Sequence, residues 1–274
     1  MQNSKIEWTD NTFNPWWGCV NISPACDNCY AQRFAARRTR TEEELWGRSA
    51  LRLISNDDYW FQPHVWNKRA ARLGRRERVF CGSMCDVMER RSDLNQPRQR
   101  LYRLIEDTPH LDWLLLTKRP HEYSKLLPTA WLRDPLPNVW LLTTVEHQDY
   151  SWRIDELLKV PAIVRGLSLE PLLSAIQLPN AFTDLGSAGW VIAGGESGPR
   201  PRPSRIDWIR AVRDACVAAS VPFFFKQWGE YNGALVRLGK KAAGRILDGR
   251  EWNEFPCGSP LSAGSFSETE RTYR

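Results

Sequence analysis

Apolar runs of five or six residues recur along this chain, at 79–84, 113–117, 139–143, 163–168, 190–194 and 221–225. They are rich in Val, Leu, Ile, Phe and Trp and show little alternation with polar residues. Runs of that length and texture read as strands buried on both faces. Most are followed by a polar loop and then a stretch of helical period. Residues 95–106 read as a helix, with Pro97 in the first turn and Leu101, Leu104 and Ile105 on one face. Residues 151–160 read as another. Residues 204–219 carry the plainest stripe, Ile206, Ile209, Val212, Cys216 and Val217, with Ser204 as the expected N-cap. A further strand is expected at 12–18.

Strands alternating with helices imply an α/β fold built on a parallel sheet with right-handed crossovers. Six such runs and the expected first strand favour a partial (βα)6-type barrel over an open sheet. On this reading residues 1–228 form the barrel. Residues 41–77 are a basic helical insertion within it, and 229–274 are a C-terminal extension. Insertion and extension are expected to serve as lids or clamps. From about Gly258 the chain is rich in Ser, Gly and Thr and is expected to be mobile.

In either architecture, functional residues gather at the C-terminal ends of the strands. Those ends are polar here, run after run: Ser83 and Asp86; Thr117, Lys118 and Arg119; Thr144 and Glu146; Ser168 and Glu170; Gly194, Gly195, Glu196 and Ser197; Lys226 and Gln227. The same feature at six successive ends points to a lined pocket, with some members expected to be caps or rim ion pairs.

Composition narrows the class. The chain has 274 residues, 42% of them hydrophobic, enough for a sizeable core. It holds no run of eighteen apolar residues, and its start, MQNSKIEWTD, is too polar for a signal peptide. A cytoplasmic protein without membrane contact is expected. Seven cysteines without an export signal argue against a disulfide framework. Net charge is +6, but residues 33–103 hold 17 Lys and Arg against 9 Asp and Glu, a local excess of +8. Trp46, Tyr59, Trp60, Phe61 and Trp66 are interleaved among these cations. Such a segment either tracks a nucleic-acid backbone or is a solvated basic face packed by its tryptophans.

The sharpest chemistry lies at Cys19, Cys26 and Cys29, spaced C-x6-C-x2-C and running into a helical pattern at 31–38. Three thiolates on one loop cannot all pair among themselves. They suit a [4Fe–4S] cluster with one iron left open, or a zinc site completed by a fourth ligand. Only Cys26 and Cys29 form the C-x2-C hook usual for zinc, and the four histidines show no ligand spacing.

Several strings carry a resemblance: Lys5-Ile6-Glu7-Trp8-Thr9-Asp10, Cys26-Asp27-Asn28-Cys29-Tyr30-Ala31, Thr117-Lys118-Arg119-Pro120, Ser168-Leu169-Glu170-Pro171-Leu172, Gly194-Gly195-Glu196-Ser197-Gly198 and Phe224-Phe225-Lys226-Gln227-Trp228-Gly229. With these the chain resembles a phage-borne three-cysteine-motif family, itself similar to the radical S-adenosylmethionine superfamily with its partial barrel. The resemblance implies a [4Fe–4S] cluster on Cys19, Cys26 and Cys29, S-adenosylmethionine as second cofactor, and an external electron donor. It also implies cytoplasmic residence, in a host cell if phage-encoded. S-adenosylmethionine is then expected along the strand ends, near Ser83, Asp86, Thr144, Ser168, Glu170, Gly194, Gly195 and Glu196. Its amino group is assigned to Glu196 or to Asp86, because the Gly-Gly-Glu string lies late in the chain. The superfamily's usual spacing is C-x3-C-x2-C, and this chain departs from it in the first gap. The expected substrate is a nucleic acid, with DNA foremost, carrying a base modification such as an amino-acyl pyrimidine to be rearranged. Arg72, Arg75, Arg76, Lys118, Arg119 and Lys226 are expected on its phosphates. The alternatives are a zinc-stabilised nucleic-acid-binding protein and a radical enzyme on a small metabolite.

Overall fold

The computed structural model describes residues 4–39 and 45–256. In chain order its elements are β1 (Asn11–Phe13), β2 (Trp16–Trp17), α1 (Tyr30–Thr39), β3 (Leu53–Ile54), α2 (Asp57–Leu73), β4 (Glu77–Cys81), α3 (Asn95–Glu106), β5 (Leu111–Thr117), α4 (Tyr123–Leu126), α5 (Thr129–Arg133), β6 (Val139–Thr144), α6 (Trp152–Leu158), β7 (Val164–Leu169), α7 (Asn180–Thr183), β8 (Gly189–Gly194), α8 (Ile206–Ala218), β9 (Phe223–Gln227) and α9 (Lys240–Ala243). Seven strands form one parallel sheet in the order β1-β4-β5-β6-β7-β8-β9. Every neighbour is the next strand of the sheet in sequence, and β1 and β9 remain its two edges. The sheet is a curled half-barrel with helices on its outer face, as the pattern of buried runs implies.

Both faces are buried, which is why the strands read as continuous apolar runs. The outer face packs on the helices through Val79, Leu115, Leu141, Leu167, Val191 and Phe223. The inner face is a second cluster, with Phe80, Leu114, Trp140, Leu142, Val164, Trp190, Ile192 and Phe224. Trp8 plugs it, with ring centroids 4.7 Å from Phe80 and 6.1 Å from Trp190. The inner side chains turn polar near the strand C-termini at Thr144, Ser168 and Lys226, and at the opposite end at Arg78 and Asp112. The apolar plug therefore forms the floor beneath a polar mouth.

Three expectations are corrected. The first strand at 12–18 is split: Asn14 and Pro15 break it, β1 pairs with β4, and β2 pairs antiparallel with β3. The segment 41–77 is not a detached insertion in its described part, where Trp46 pairs with Cys19. It contains α2, the crossover helix from the cysteine loop to β4, which sends Trp60 and Trp66 into the main core. Asn56 caps it, its side chain accepting from the Tyr59 N–H at 3.0 Å. Ser204 does not cap α8, since its hydroxyl donates to the Leu172 carbonyl at 2.8 Å. Residues 229–256 fold back on β9, where Trp252 packs edge-on to Phe223 and Leu247 is fully buried. The tail from Gly258, expected to be mobile, lies outside the described residues, as does Cys257.

Candidate cysteine-lined cavity

The C-terminal ends of the strands surround a cavity of about 470 Å³, within the rough range of 300–1,000 Å³ for small-molecule sites. Cys19, Cys26 and Cys29 all line it. So do Ser83, Asp86, Lys118, Arg119, Thr144, Ser168, Glu170, Gly195, Glu196 and Lys226. Parallel pairing in register is what brings them together, because each follows or ends a strand of the same sheet. Arg72, Arg75 and Arg76 are not part of it. They flank the N-terminal start of β4, roughly 20 Å from the mouth along a strand rising ~3.3 Å per residue. Arg76 pairs with Asp112 at 2.6 Å and Arg75 lies 3.9 Å from Asp10. Part of the arginine-rich segment turns inward, while Arg37, Arg48, Lys68, Arg72, Arg75, Arg90, Arg100 and Arg103 stay exposed. Arg52 binds Glu89 at 2.6 Å, Arg69 binds Glu77 at 2.5 Å, and Arg98 donates to the Val87 and Glu89 carbonyls.

The three cysteines are free thiols. Cys26 ends a short 3-10 turn after Pro24, and Cys29 directly precedes α1. The Ala31 and Gln32 N–H groups at that helix start face the Cys29 sulfur, where unpaired helix donors favour negative charge. Burial nevertheless pushes the Cys29 thiol up. Burial also pushes the Cys19 thiol up to about 12, with Asp86 adding to the shift and Arg119 opposing it. Among the described residues, no three of His, Cys, Asp and Glu are drawn close enough to hold a metal ion as they stand. The donor chemistry fits a three-cysteine cluster all the same: three unpaired sulfurs open on one cavity, with a helix start and a guanidinium beside them.

The loop carrying them is tied at two places. Arg119 donates to Asp86 at 2.6 Å and to the Val20 carbonyl at 3.1 Å, next to Cys19. Arg202 donates to Glu196 through Nε at 2.9 Å and Nη2 at 2.5 Å, and to the Pro24 carbonyl at 2.9 Å. Asn28, between Cys26 and Cys29, donates to Glu196 Oε2, the oxygen that Arg202 Nε also binds, at 3.0 Å. Both acids assigned to a ligand's amino group are thus already engaged. Asp86 also accepts from the Thr117 hydroxyl at 2.6 Å and the Met88 and Lys118 N–H groups. Burial alone would raise both acids. For Asp86 the Arg119 guanidinium and its hydrogen bonds outweigh burial, and for Glu196 the bonds from Arg202 and Asn28 do, so both carboxyls lie below the usual range.

The two glycines of Gly-Gly-Glu serve packing. A Cβ on Gly195 would lie 1.9 Å from the Trp228 carbonyl oxygen, so the close approach is to the segment after β9. A Cβ on Gly194 would lie 2.8 Å from Glu170 Oε1. Ser83 exchanges hydrogen bonds with Asn14 at 3.0 and 3.2 Å, and its carbonyl accepts from the Tyr30 hydroxyl at 2.9 Å. Lys118 has no ionic partner among the described residues.

Sequence reasoning missed Arg202 and Asn28, the residues that hold the loop. A signal for Arg202 was present in Pro199-Arg200-Pro201-Arg202-Pro203, where alternating prolines restrict the backbone, although Arg200 itself takes a left-handed φ of 54°. Asn28 had none, since its partner is 168 residues away.

A model of the family described as protein of unknown function (DUF5131) matches residues 3–256. The chain belongs to that family. No curated protein and no solved structure matches it. The family's extent takes in the cysteine loop, all seven sheet strands and the fold-back to residue 256, so cavity and ties lie within one family unit.

Proposed function

We propose that this chain is a radical S-adenosylmethionine enzyme whose [4Fe–4S] cluster is held by Cys19, Cys26 and Cys29. One observation carries the reading: three unpaired thiols open on a single cavity at the C-terminal mouth of a parallel half-barrel. When bound, cluster and S-adenosylmethionine supply one-electron cleavage to a radical that takes hydrogen from carbon, with the electron coming from an external donor. The chain's own part is positional. Arg119 and Arg202 hold the cysteine loop, the Trp8 plug closes the floor against water, and the strand ends present polar groups to the ligands.

The substrate we propose is nucleic acid carrying a modified base. Rim cations, Lys118 first, now support this in place of Arg72, Arg75 and Arg76. A second reading, a small anionic metabolite, is favoured by the inward pairing of Arg52, Arg69, Arg76 and Arg98.

The test is reconstitution with iron and sulfide without oxygen, then reduction with dithionite in the presence of S-adenosylmethionine. The expected outcome is a brown protein with about four irons per chain that releases 5′-deoxyadenosine. Both properties should vanish in the Cys19→Ala/Cys26→Ala/Cys29→Ala protein. Stoichiometric zinc with no iron uptake refutes the reading.

A further inference from the structure

Glu170 and Lys226 are an ion pair with nothing else to do. They follow β7 and end β9, on either side of β8, and reach each other across Gly194 at 3.0 Å. The absence of a side chain at Gly194 is what opens that path, because a Cβ there would meet Glu170 Oε1. Both side chains are mostly buried, 13% and 19% exposed, yet both line the cavity. Among the described residues neither makes another side-chain contact of hydrogen-bond or ionic kind. A carboxylate accepts about four hydrogen bonds and an ammonium donates three, so each has capacity left over. Asp86 and Glu196 have none to spare.

The surroundings point to a ligand independently. Gln227, 6% exposed and lining the cavity, has a buried Oε1 with no partner. Thr144 and Ser168, each 3% exposed, offer hydroxyls that make no hydrogen bond among the described residues. Buried polar groups are nearly always satisfied, and these two hydroxyls beside the pair have capacity left for a ligand, whereas Gln227 Oε1 has no surface open to the cavity.

We infer that Glu170 and Lys226 form the receptor for an α-amino-carboxylate head group, Glu170 taking the amino group and Lys226 the carboxylate. One charge of each sign side by side matches a zwitterion, which would insert into the pair and give each member a new charged partner. The Thr144 and Ser168 hydroxyls would take its remaining donors and acceptors. This rests on the S-adenosylmethionine reading for one source of the head group; a substrate bearing a free amino acid group is the other.

Isothermal titration of the reconstituted protein separates the sources with three probes. S-adenosylhomocysteine has the head group and the nucleoside, 5′-methylthioadenosine has only the nucleoside, and L-methionine has only the head group. Wild type should bind S-adenosylhomocysteine about ten- to a hundredfold more tightly than 5′-methylthioadenosine, the worth of one to two charged hydrogen bonds. Glu170→Gln and Lys226→Met should each erase that preference while iron content stays unchanged. If wild type shows the preference and both variants keep it, the receptor is elsewhere and the cofactor reading survives. Equal binding of the two nucleosides by wild type overturns the receptor without any variant. Binding of L-methionine but neither nucleoside, lost in the variants, keeps the receptor and overturns S-adenosylmethionine as its ligand. Binding of none of the three overturns both.

Discussion

Replacing Glu196 by alanine should release the cysteine loop. The carboxylate accepts from the Arg202 backbone N–H at 2.8 Å, from Arg202 Nε and Nη2 at 2.9 and 2.5 Å, and from Asn28 at 3.0 Å. Its removal leaves the guanidinium with only the Pro24 carbonyl and the more distant Asp27, and the Asn28 amide with only the Arg200 carbonyl. Breaking a fully buried pair in this way costs ~3–5 kcal/mol. Arg202 is 33% exposed, so water recovers part of the loss and about 2 kcal/mol is the figure to expect. That is roughly thirtyfold in the equilibrium between tied and untied loop. The assay is iron retained per chain during anaerobic titration with a chelator, beside thermal unfolding of the same protein. Glu196→Ala and Arg202→Met should lose iron at similar, lower chelator concentrations. The double variant should be little worse than either, because both delete one shared interaction. Asn28→Ala should shift retention by less. Retention like wild type in Arg202→Met, with S-adenosylmethionine affinity lost only in Glu196→Ala, would refute the argument and make Glu196 a ligand-binding group.

Two other outcomes probe the fold around the site. Gly195→Ala should lower the unfolding temperature or abolish soluble protein, since backbone on both sides must move by more than 1 Å to admit the methyl group, a strain worth at least ~2 kcal/mol; unfolding like wild type would refute the packing. Arg76→Gln should destabilise by ~1–3 kcal/mol, leaving Asp112 without its charged partner, and leave the salt dependence of DNA binding unchanged. Lys118→Gln should do the reverse, keeping stability and flattening the salt slope by about one contact. An altered slope in Arg76→Gln alone would restore the outward reading of the arginine-rich segment.

The half-barrel was legible because strands buried on both faces cannot hide their apolar runs, and the helix at 95–106 shows its stripe as plainly. The first strand was misjudged because Trp16 and Trp17 continue the apolar texture while Asn14 and Pro15 turn the backbone out of the sheet. The cavity's members were readable from polar strand ends, a consequence of parallel pairing in register. Their roles were not. Whether Asp86 is a free acid or half of an ion pair depends on Arg119, and whether Glu196 is free depends on Arg202 and Asn28; no local pattern records those distances. Charge composition could not sort the basic segment for the same reason, since Arg52, Arg69, Arg76 and Arg98 are paired inward while Arg72 and Arg75 stay exposed.

The two ties on the cysteine loop fasten it to well-separated parts of an open sheet. Asp86 and Arg119 follow β4 and β5, near one edge, and Glu196 follows β8, next to the other. The loop is therefore strung across the curve like the string of a bow. Opening the curve draws Val20 and Asn28 apart, and closing it lets them approach. The spacing of the sulfurs and the bend of the sheet are then a single mechanical variable. A ligand that wedges between β7 and β9 would tune the string.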